Sequence, residues 1–290
     1  MVVCGELFFS SVVSVQDFDK DVGFTSYQSY NDFQVFMRPV TETLTEEYDS
    51  SFSRFEKTYH RKLNDNMALD IRGLSASTST FNRGVMNLMN NCGFSARSHW
   101  SKYIEGNELV DSIFGIKYVI SDEKTPVSHL YIPSEGKNGL TIYENPYYLS
   151  IAYCVDPKMK DLPVDNGTNK NPADYLEYLA SGMVGEDDIK FFNSCYYSHF
   201  ERDNCSKSGA TGSYISFSRS DSNRKASFTF SVTAYRTGSI YMYLMPNGSN
   251  KEAKYYINGE EEGKVFGDES NIIQNLGYFE EGETIYVKVE

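Results

Sequence analysis

The last third of the chain is a series of short segments in which apolar and polar residues alternate. They are separated by glycine, asparagine and serine, and they read SYISFSRS, ASFTFSVTAYRTGSIYMYLMP, AKYYINGEEEGKVF, NIIQNLGYF and ETIYVKVE. Alternation with a period of two places successive side chains on opposite faces of a strand. Regularly spaced strands with turn residues between them are typical of antiparallel β-sandwiches. We therefore predict an all-β antiparallel sandwich domain over residues 186–290.

Turn residues within this region predict how the strands are connected. RTGS and INGEEEG place glycine and small polar residues between apolar runs, a pattern that is typical of β-hairpin turns. FEEGETIYVKVE predicts a turn that leads into a final strand.

The first half of the chain mixes helical and extended patterns. A helix is predicted over Asn31–Tyr48, where Pro39 is expected to kink the helix or delay its start. Its apolar positions are Phe33, Phe36, Met37, Val40 and Leu44. A second helix is predicted after Ser79 or Thr80, and Gly93 ends it. Its inner stripe consists of Phe81, Val85, Leu88 and Met89.

Extended segments alternate with these helices. Strands are predicted at SRFEKTYH, IKYVIS, GLTIYENP and SIAYCVD, a short helix at GNELVDSIFG, and an extended segment near Ala68–Ile71. This interleaving indicates an α+β or α/β domain over residues 17–157. Residues 158–185 predict a linker and a short helix, with Asn171 as N-cap, Pro172 in the first turn, and Gly182 or Gly185 at the end.

Residues 1–16 allow two interpretations. The stretch MVVCGELFFSSVVSV is apolar but contains Glu6, and no Lys or Arg precedes it as in a signal peptide. It is also shorter than the about 20 apolar residues that cross a bilayer. The segment is either the buried start of a globular domain or the end of a transmembrane helix.

The charge of the chain excludes some classes of partner. The formal net charge is −13 at pH 7, and Asp221 interrupts the densest basic cluster, Arg219–Lys225. Binding to nucleic acid requires a basic surface that neutralises phosphates, so nucleic acid is not expected as a partner. Neutral sugars, peptides and cations remain possible partners.

Few residues are arranged for catalysis or metal binding. The cysteines Cys4, Cys92, Cys154, Cys195 and Cys205 form no C-x-x-C pair, so we expect neither a thiolate zinc site nor a cofactor. Cys195 and Cys205 either close a small disulfide loop or remain free thiols. The sequence has no G-x-S-x-G motif, and nothing singles out two of its 40 acidic residues as a glycosidase pair.

Lys117 lies in the most apolar part of the stretch DSIFGIKYVISDE. In a strand, Ile116, Tyr118 and Ile120 would share one face, and Lys117 would lie on the other with Val119. A catalytic lysine would need a closed pocket, whereas a lysine whose stem covers a neighbour needs only water at its ammonium group. We therefore interpret Lys117 as a structural residue.

Several segments, in this order, resemble the extracytoplasmic C-terminal region of the bacterial membrane protein YfhO family. SRFEKTY, RGLSASTSTFN, LVDSIFGIKYVI and LTIYENPYYLSIAY carry the resemblance, and the last two are the most specific. The family-motif residues in them are Asp111, Gly115, Lys117, Tyr118, Tyr143, Glu144, Asn145 and Pro146. MVVCGELFFSS looks like the end of a preceding transmembrane helix. The C-terminal segments resemble the family's terminal sandwich, which looks like a jelly-roll carbohydrate-binding module.

The resemblance implies a function at the cell envelope. The family looks like type C glycosyltransferases, whose metal- and phosphate-organising acids lie on loops between transmembrane helices, so no catalytic residue is assigned in this chain. It implies an extracytoplasmic, non-catalytic portion that positions the acceptor glycan of a cell-surface polymer such as lipoteichoic acid. The membrane-embedded portion of the same polypeptide would be its second partner.

Sugar contacts are expected on aromatic and amide side chains of the sandwich, because rings and amides suit a weakly bound glycan. The candidates are Tyr241, Tyr243, Tyr255 and Asn258. For each tyrosine, packing within a strand is the competing interpretation. Two other functions also stay open: a free-standing cell-surface carbohydrate-binding or adhesion module, and a soluble glycosidase.

Overall fold

The chain forms a mixed helix-and-strand part followed by a β-rich part. The computed structural model describes residues 2–22, 26–48, 52–122, 127–134, 136–162, 171–209, 215–244, 252–267 and 273–290. The first part contains, in order, α1 (Val2–Val22), α2 (Tyr27–Tyr48), β1 (Arg54–Lys57), α3 (Asp65–Ala68), β2 (Ala76–Ser77), α4 (Arg83–Asn91), β3 (Ser95–Arg97), β4 (Trp100–Lys102), α5 (Glu108–Ile113), β5 (Ile116–Ser121), β6 (Ile132–Ser134), β7 (Thr141–Glu144), a 3-10 turn (Pro157–Asp161) and α6 (Pro172–Val184).

The β-rich part begins after α6. Its strands are β8 (Tyr197–Asp203), β9 (Cys205–Ser208), β10 (Ser216–Arg219), β11 (Ser227–Thr233), β12 (Gly238–Tyr243), β13 (Ala253–Ile257), β14 (Glu260–Val265), β15 (Ile273–Phe279) and β16 (Thr284–Val289). The largest sheet is antiparallel and has the order β14-β13-β16-β11-β8. The pairs β12–β15 and β9–β10 are also antiparallel.

In the first part, helices cover both faces of a four-stranded sheet of order β1-β5-β7-β6. Strand β1 runs parallel to β5, and the other pairs are antiparallel. Helix α2 packs on one face, against Tyr118 and Ile120 of β5. Helices α4, α5 and α6 share a core cluster with Ile116 and Val119. The mixture of helices and strands in this part is as predicted.

A bulge at Lys117 corrects the predicted faces of β5. Arg54 pairs with Ile116 but the next residue, Phe55, pairs with Tyr118, so Lys117 is the extra residue. A bulge shifts the alternation of side chains by one position. Ile116 therefore points to the same core as Val119 rather than sharing a face with Tyr118.

Helix α2 begins at Tyr27, four residues earlier than predicted, and continues through Pro39. Proline has no N–H, so the carbonyl of Val35 loses its helical donor. Val35 is 66% exposed, which lets water replace that donor. The prediction of a late start was therefore wrong, whereas four of the five predicted apolar positions are buried and Phe36 packs at their edge.

Other local predictions need correction. Helix α4 is capped by Asn82, whose Oδ1 accepts from the N–H groups of Gly84 and Val85 at 2.8 and 3.3 Å. Its buried face consequently contains Met86 and Met89, and the predicted Val85 is exposed.

The segment predicted as extended near Ala68–Ile71 begins instead with the single helical turn of α3. Asp65 organises that turn because its Oδ2 accepts from the backbone N–H groups of Arg61 and Lys62. SIAYCVD forms no strand, since its exposed residues lead to Asp156, which caps the 3-10 turn through the Lys158 N–H.

Helix α6 begins and ends as its sequence predicts. Asn171 Oδ1 accepts from the Asp174 N–H at 2.9 Å, Pro172 is the first helical residue, and Gly185 ends the helix with a left-handed φ of 75°. The helix was predicted within a linker, but Tyr175 and Leu176 are buried in the core of the first part, so the helix belongs to that core.

The two predicted hairpins have different outcomes. INGEEEG forms the β13–β14 hairpin, with positive φ at Asn258 and Gly259 as a type I′ turn requires. RTGS does not form a hairpin, because β11 pairs with β8 and β16 whereas β12 pairs with β15. The chain passes from one sheet to another at this point. Strands β8 and β9 were not predicted.

Helix α1 presents apolar side chains outward. Leu7, Phe8 and Phe9 are 64, 73 and 71% exposed. The structure therefore does not bury this segment in the described core. Within the described ranges, no helix is both long enough and apolar enough to cross a bilayer.

Candidate functional site

A large groove lies between the two parts of the chain. Helices α5 and α6 and residues 191–195 line one side, and strands β8 to β12 line the other. The lining also includes Val232, Ile240 and Leu276, so the groove extends to the core of the β-rich part. Its volume is about 1820 Å³. Pockets for single small molecules are commonly about 300–1,000 Å³, so this groove has room for an extended ligand.

Aromatic side chains cover much of the β side of this groove. The rings of Phe217 and Phe228 stack with their centroids 3.6 Å apart and an interplanar angle of 4°. Phe200 lies against Phe217 and Phe230 at 6.2 and 6.1 Å, and Tyr197 meets Phe200 edge-on at 5.0 Å. These rings are only half-buried, so they offer a continuous apolar surface to the groove.

A carboxylate marks the end of the groove nearest α5. Asn107 caps α5 by accepting from the Val110 N–H at 2.9 Å, and this cap sets Glu108 at the first helical position. Tyr241 donates its hydroxyl to Glu108 Oε2 at 3.1 Å, and Ser128 donates to Oε1. Glu108 is thus oriented by hydroxyl groups from both parts of the chain.

Asp111 is buried behind this carboxylate. Its Oδ2 accepts from the hydroxyls of Tyr103 and Tyr131 at 2.9 and 2.7 Å. Burial raises the pKa of Asp111 to about 7, although the two tyrosine hydrogen bonds partly oppose that shift. A Cβ on Gly106 would come within 2.0 Å of Asp111 Oδ1, so the backbone of residue 106 packs directly on the carboxyl group.

Glu105 joins the two parts of the chain. Its Oε1 accepts from Gln274 Nε2 and from the Asn275 N–H, each at 2.6 Å. Burial raises the pKa of Glu105 to about 8 against the effect of these hydrogen bonds. Its carboxyl group is inaccessible to a ligand and acts as a contact between the loop before α5 and β15.

A second buried polar network lies under β1 and was not predicted. Lys57, which is fully buried, donates to Asn66 Oδ1 at 2.8 Å and lies 3.1 Å from His60 Nδ1. Glu56 accepts from the N–H groups of Leu74 and Ser75. Burial and the ammonium group of Lys57 lower the pKa of His60 to about 3. Because this network is enclosed by protein, its role is structural: it holds the RGLSAS segment in place.

The four predicted sugar-contact residues separate into two groups. Tyr241 and Tyr243 line the groove, and Tyr241 also meets Phe192 edge-on at 6.2 Å. Tyr255 is only 3% exposed and its hydroxyl oxygen accepts from Gln274 Nε2 at 3.1 Å, so its ring is not available to a glycan. Asn258 is a turn residue whose Oδ1 accepts from the Tyr286 N–H at 2.9 Å.

The residues of the first family motif build the junction between α5 and β5. Gly115 has a φ of 71°, and a Cβ there would lie 3.0 Å from the Leu149 carbonyl oxygen. Tyr118 is buried against Phe55, with ring centroids 5.4 Å apart. Lys117 places its ammonium over the rings of Tyr118 and Tyr148 at 4.9 and 5.2 Å, which is a structural role.

The second motif fastens β7 to that junction. Asn145 is buried and donates to the Ile116 carbonyl at 3.0 Å, while its Oδ1 accepts from the Tyr147 N–H at 2.9 Å. Glu144 lies 4.0 Å from the Lys117 ammonium. Tyr143 packs at the edge of the core, and Pro146 is exposed.

The geometry of the described residues also bears on the cysteines and on the possible metal ligands. Cys195 and Cys205, for which a disulfide was one alternative, are free thiols, and both line the groove. Burial raises the pKa of each thiol above its ordinary value. In the ranges that the structure describes, no group of three or more His, Cys, Asp or Glu side chains could hold a metal ion.

The groove and its half-buried aromatic rings were not predicted from the sequence. Phe217, Phe228 and Phe230 have the alternation of ordinary strand residues, and only the packing of β8, β10 and β11 brings them together. The sequence contained one indication of Glu108, which is its position directly after the helix-capping residue Asn107.

Comparison with known proteins identifies the family. No curated protein and no solved structure matches the chain. The family model described as bacterial membrane protein YfhO matches residues 1–290, which confirms the predicted resemblance. Because the match spans the whole sequence, the chain belongs to the bacterial membrane protein YfhO family.

Proposed function

We propose that this chain is the extracytoplasmic, non-catalytic portion of a membrane glycosyltransferase and that its groove holds the acceptor glycan of a cell-surface polymer. The groove is the observation that carries the proposal, because it is large and lined with aromatic rings. Membership of a membrane protein family supports the link to a membrane. The glycosyltransferase assignment and the polymer, such as lipoteichoic acid, come from the resemblance of the sequence motifs.

Aromatic rings in a groove suit a glycan for a physical reason. The C–H faces of a sugar ring are apolar and pack on aromatic faces, while its hydroxyls need polar partners at the edge. Tyr147, Tyr235 and Phe191 are the most exposed of the large aromatic side chains of the groove, at 57, 56 and 54%. They are placed where a polymer could lie across the opening.

The β-rich part would act as a jelly-roll sandwich of the carbohydrate-binding type. Ile240 of β12 and Leu276 of β15 share one core cluster with Val232, Ile285 and Val287 of the five-stranded sheet. Two sheets that enclose a common core are what a sandwich requires.

The buried acids support a non-catalytic role. Asp111 and Glu105 are 1 and 5% exposed, and their hydrogen bonds go to tyrosine, glutamine and backbone groups. A general acid must reach the oxygen of its substrate. These carboxyl groups are enclosed by protein, which disfavours the glycosidase alternative.

The exposed apolar residues of α1 support a position beside the membrane. Leu7, Phe8 and Phe9 would contact lipid or the membrane-embedded portion of the same polypeptide. In this arrangement the groove would present the acceptor to the embedded active site from the extracytoplasmic face.

A matched pair of tyrosine variants tests the groove. Tyr235→Ala removes a groove ring that is 56% exposed, and Tyr286→Ala removes a ring that is 54% exposed and does not line the groove. A contact with the face of one aromatic ring is worth roughly 0.5–1.5 kcal/mol. We expect Tyr235→Ala to weaken binding about threefold to tenfold in titration calorimetry, and Tyr286→Ala to have no effect.

The ligands for this titration are hexamers of glucose and of N-acetylglucosamine, and poly(glycerol phosphate). An equal loss of affinity in Tyr235→Ala and Tyr286→Ala would show that the glycan does not bind in the groove. Absence of binding to all three classes would refute the acceptor-holding role.

A further inference from the structure

Glu108 has acceptor capacity that the described contacts do not use. A carboxylate has about four acceptor positions. Among the described residues, Ser128 and Tyr241 supply one donor to each oxygen. The side chain is only partly buried and lines the groove, so the remaining positions face a space that a ligand could occupy.

Aromatic rings lie beside this carboxylate. Tyr241, whose hydroxyl holds Glu108, meets Phe192 edge-on at 6.2 Å, and the neighbouring Phe191 is 54% exposed. A carboxylate next to aromatic surface can accept two hydroxyls of a sugar while a ring covers the sugar's apolar face.

The charged groups of the groove are of both signs. Its lining contains four carboxylates and two guanidinium groups; these are Glu108, Asp174, Glu252, Glu290, Arg219 and Arg236. Glu252 pairs with Lys264, and Glu290 pairs with Lys225 and Lys288, so Glu108 and Asp174 are the carboxylates of the lining that act against an anion. Arg236 lies over the ring of Tyr235 at 5.3 Å, and Arg219 donates to the Ser222 carbonyl at 3.3 Å. The formal charge of the whole chain, −13, adds to the repulsion of a polyphosphate.

We propose that the groove takes an uncharged hexose segment and that Glu108 binds it by accepting hydrogen bonds from its hydroxyl groups. This inference rests on the proposed function and narrows it, because the groove would hold a neutral sugar segment of the polymer in preference to a phosphate-bearing backbone such as that of lipoteichoic acid. Glu108 would be the residue that determines this selectivity.

Substitution of Glu108 tests the inference. Glu108→Gln keeps the size of the side chain but replaces a carboxylate oxygen with an amide that donates. Hydrogen bonds to a charged group contribute about 1.5–3 kcal/mol, so we expect the dissociation constant for a hexamer of glucose or N-acetylglucosamine to rise at least about tenfold. Glu252→Gln is the matched control, since Glu252 also lines the groove but pairs with Lys264 at 2.7 Å. It should change affinity less than about twofold.

Glu108→Asp provides a second variant if Glu108→Gln does not fold. It retains the charge but withdraws the carboxylate by one methylene, so an intermediate loss of affinity is expected. Circular dichroism and thermal midpoints compared with the wild type establish that each variant is folded.

The outcomes separate this inference from the proposed function. Unchanged affinity of both folded Glu108 variants for the neutral hexamers would overturn the role of Glu108. Tighter binding of poly(glycerol phosphate) than of either hexamer, still weakened by Tyr235→Ala, would overturn the selectivity and leave the proposed function intact. If no glycan of either class binds the wild type, both proposals fail.

Discussion

Gly106 shows how a single hydrogen in place of a side chain permits the packing around α5. A Cβ at this position would lie 2.0 Å from Asp111 Oδ1, so the buried carboxyl group and the loop before α5 can only approach each other at glycine. The neighbouring Glu105 then reaches Gln274 and Asn275. One residue therefore affects both the first part of the chain and its contact with β15.

Gly106→Ala is expected to lower the free energy of unfolding by about 1–3 kcal/mol, because the added methyl group forces the Asp111 carboxyl away from its two tyrosines. Urea denaturation measures this change. Gly238→Ala is the control, since a Cβ at Gly238 meets no atom within 4 Å. Equal stability of the Gly106 variant and the control would contradict the close approach.

Residues that had a local signal in the sequence were predicted, and residues whose role depends on distant partners were not. Asn171 and Gly185 act within one helix; Asn171 was predicted as its start, and Gly185 was one of two predicted ends. Lys57 was predicted as an ordinary strand residue, because nothing nearby in the sequence indicates that Asn66 and His60 enclose it.

Helix α6 is the element whose formation depends most clearly on local chemistry. Asn171 satisfies a free N–H at the helix start, and Tyr175 and Leu176 bury the inner face. The helix also forms one wall of the groove. Its capping residue therefore supports the site as well as the core.

Asn171→Ala should reduce the free energy of unfolding by about 1 kcal/mol through loss of the cap. Asn171→Asp should restore most of that loss, because aspartate also accepts from the N–H of residue 174. Thermal unfolding of the three proteins distinguishes these results. Equal thermal stability of Asn171→Asp and Asn171→Ala would show that the side-chain cap does not stabilise the helix.

At the level of strands, pairing was harder to predict than position. The alternating pattern located β10 to β16, but the RTGS turn was assigned to a hairpin that does not exist. A turn sequence specifies that the chain reverses, and it does not specify which sheet the next strand joins. The bulge at Lys117 is a similar case, because pairing with β1 determines it.

At the scale of the whole molecule, the contact between the two parts is sensitive to protonation. Burial raises the pKa of Glu105 from 4.5 to about 8, so the folded protein retains a proton that the unfolded chain loses above pH 4.5. The free energy of unfolding should therefore fall as the pH rises through this interval and level off above about 8.

Glu105→Gln isolates this effect. Burial also raises the pKa of Asp111, to about 7, so Asp111 changes the free energy of unfolding with pH in the same direction. Because Asp111 is present in both proteins, the difference between their free energies of unfolding reports on Glu105. We expect the stability of the wild type relative to Glu105→Gln to decrease between pH 5 and 8 in urea titrations. A difference that does not vary with pH would show that Glu105 does not take up a proton on folding.

The sequence by itself determined strands β10 to β16, the start of α6, the mixed character of the first part and the family of the chain. These follow from apolar periodicity, capping residues and motifs, all of which act over a few neighbouring residues. Only the tertiary structure decided that Tyr255 is enclosed, that Glu105 links the loop before α5 to β15, and that half-buried rings and Glu108 line one groove. Periodicity states which face of an element is apolar, whereas burial depends on which distant element covers that face.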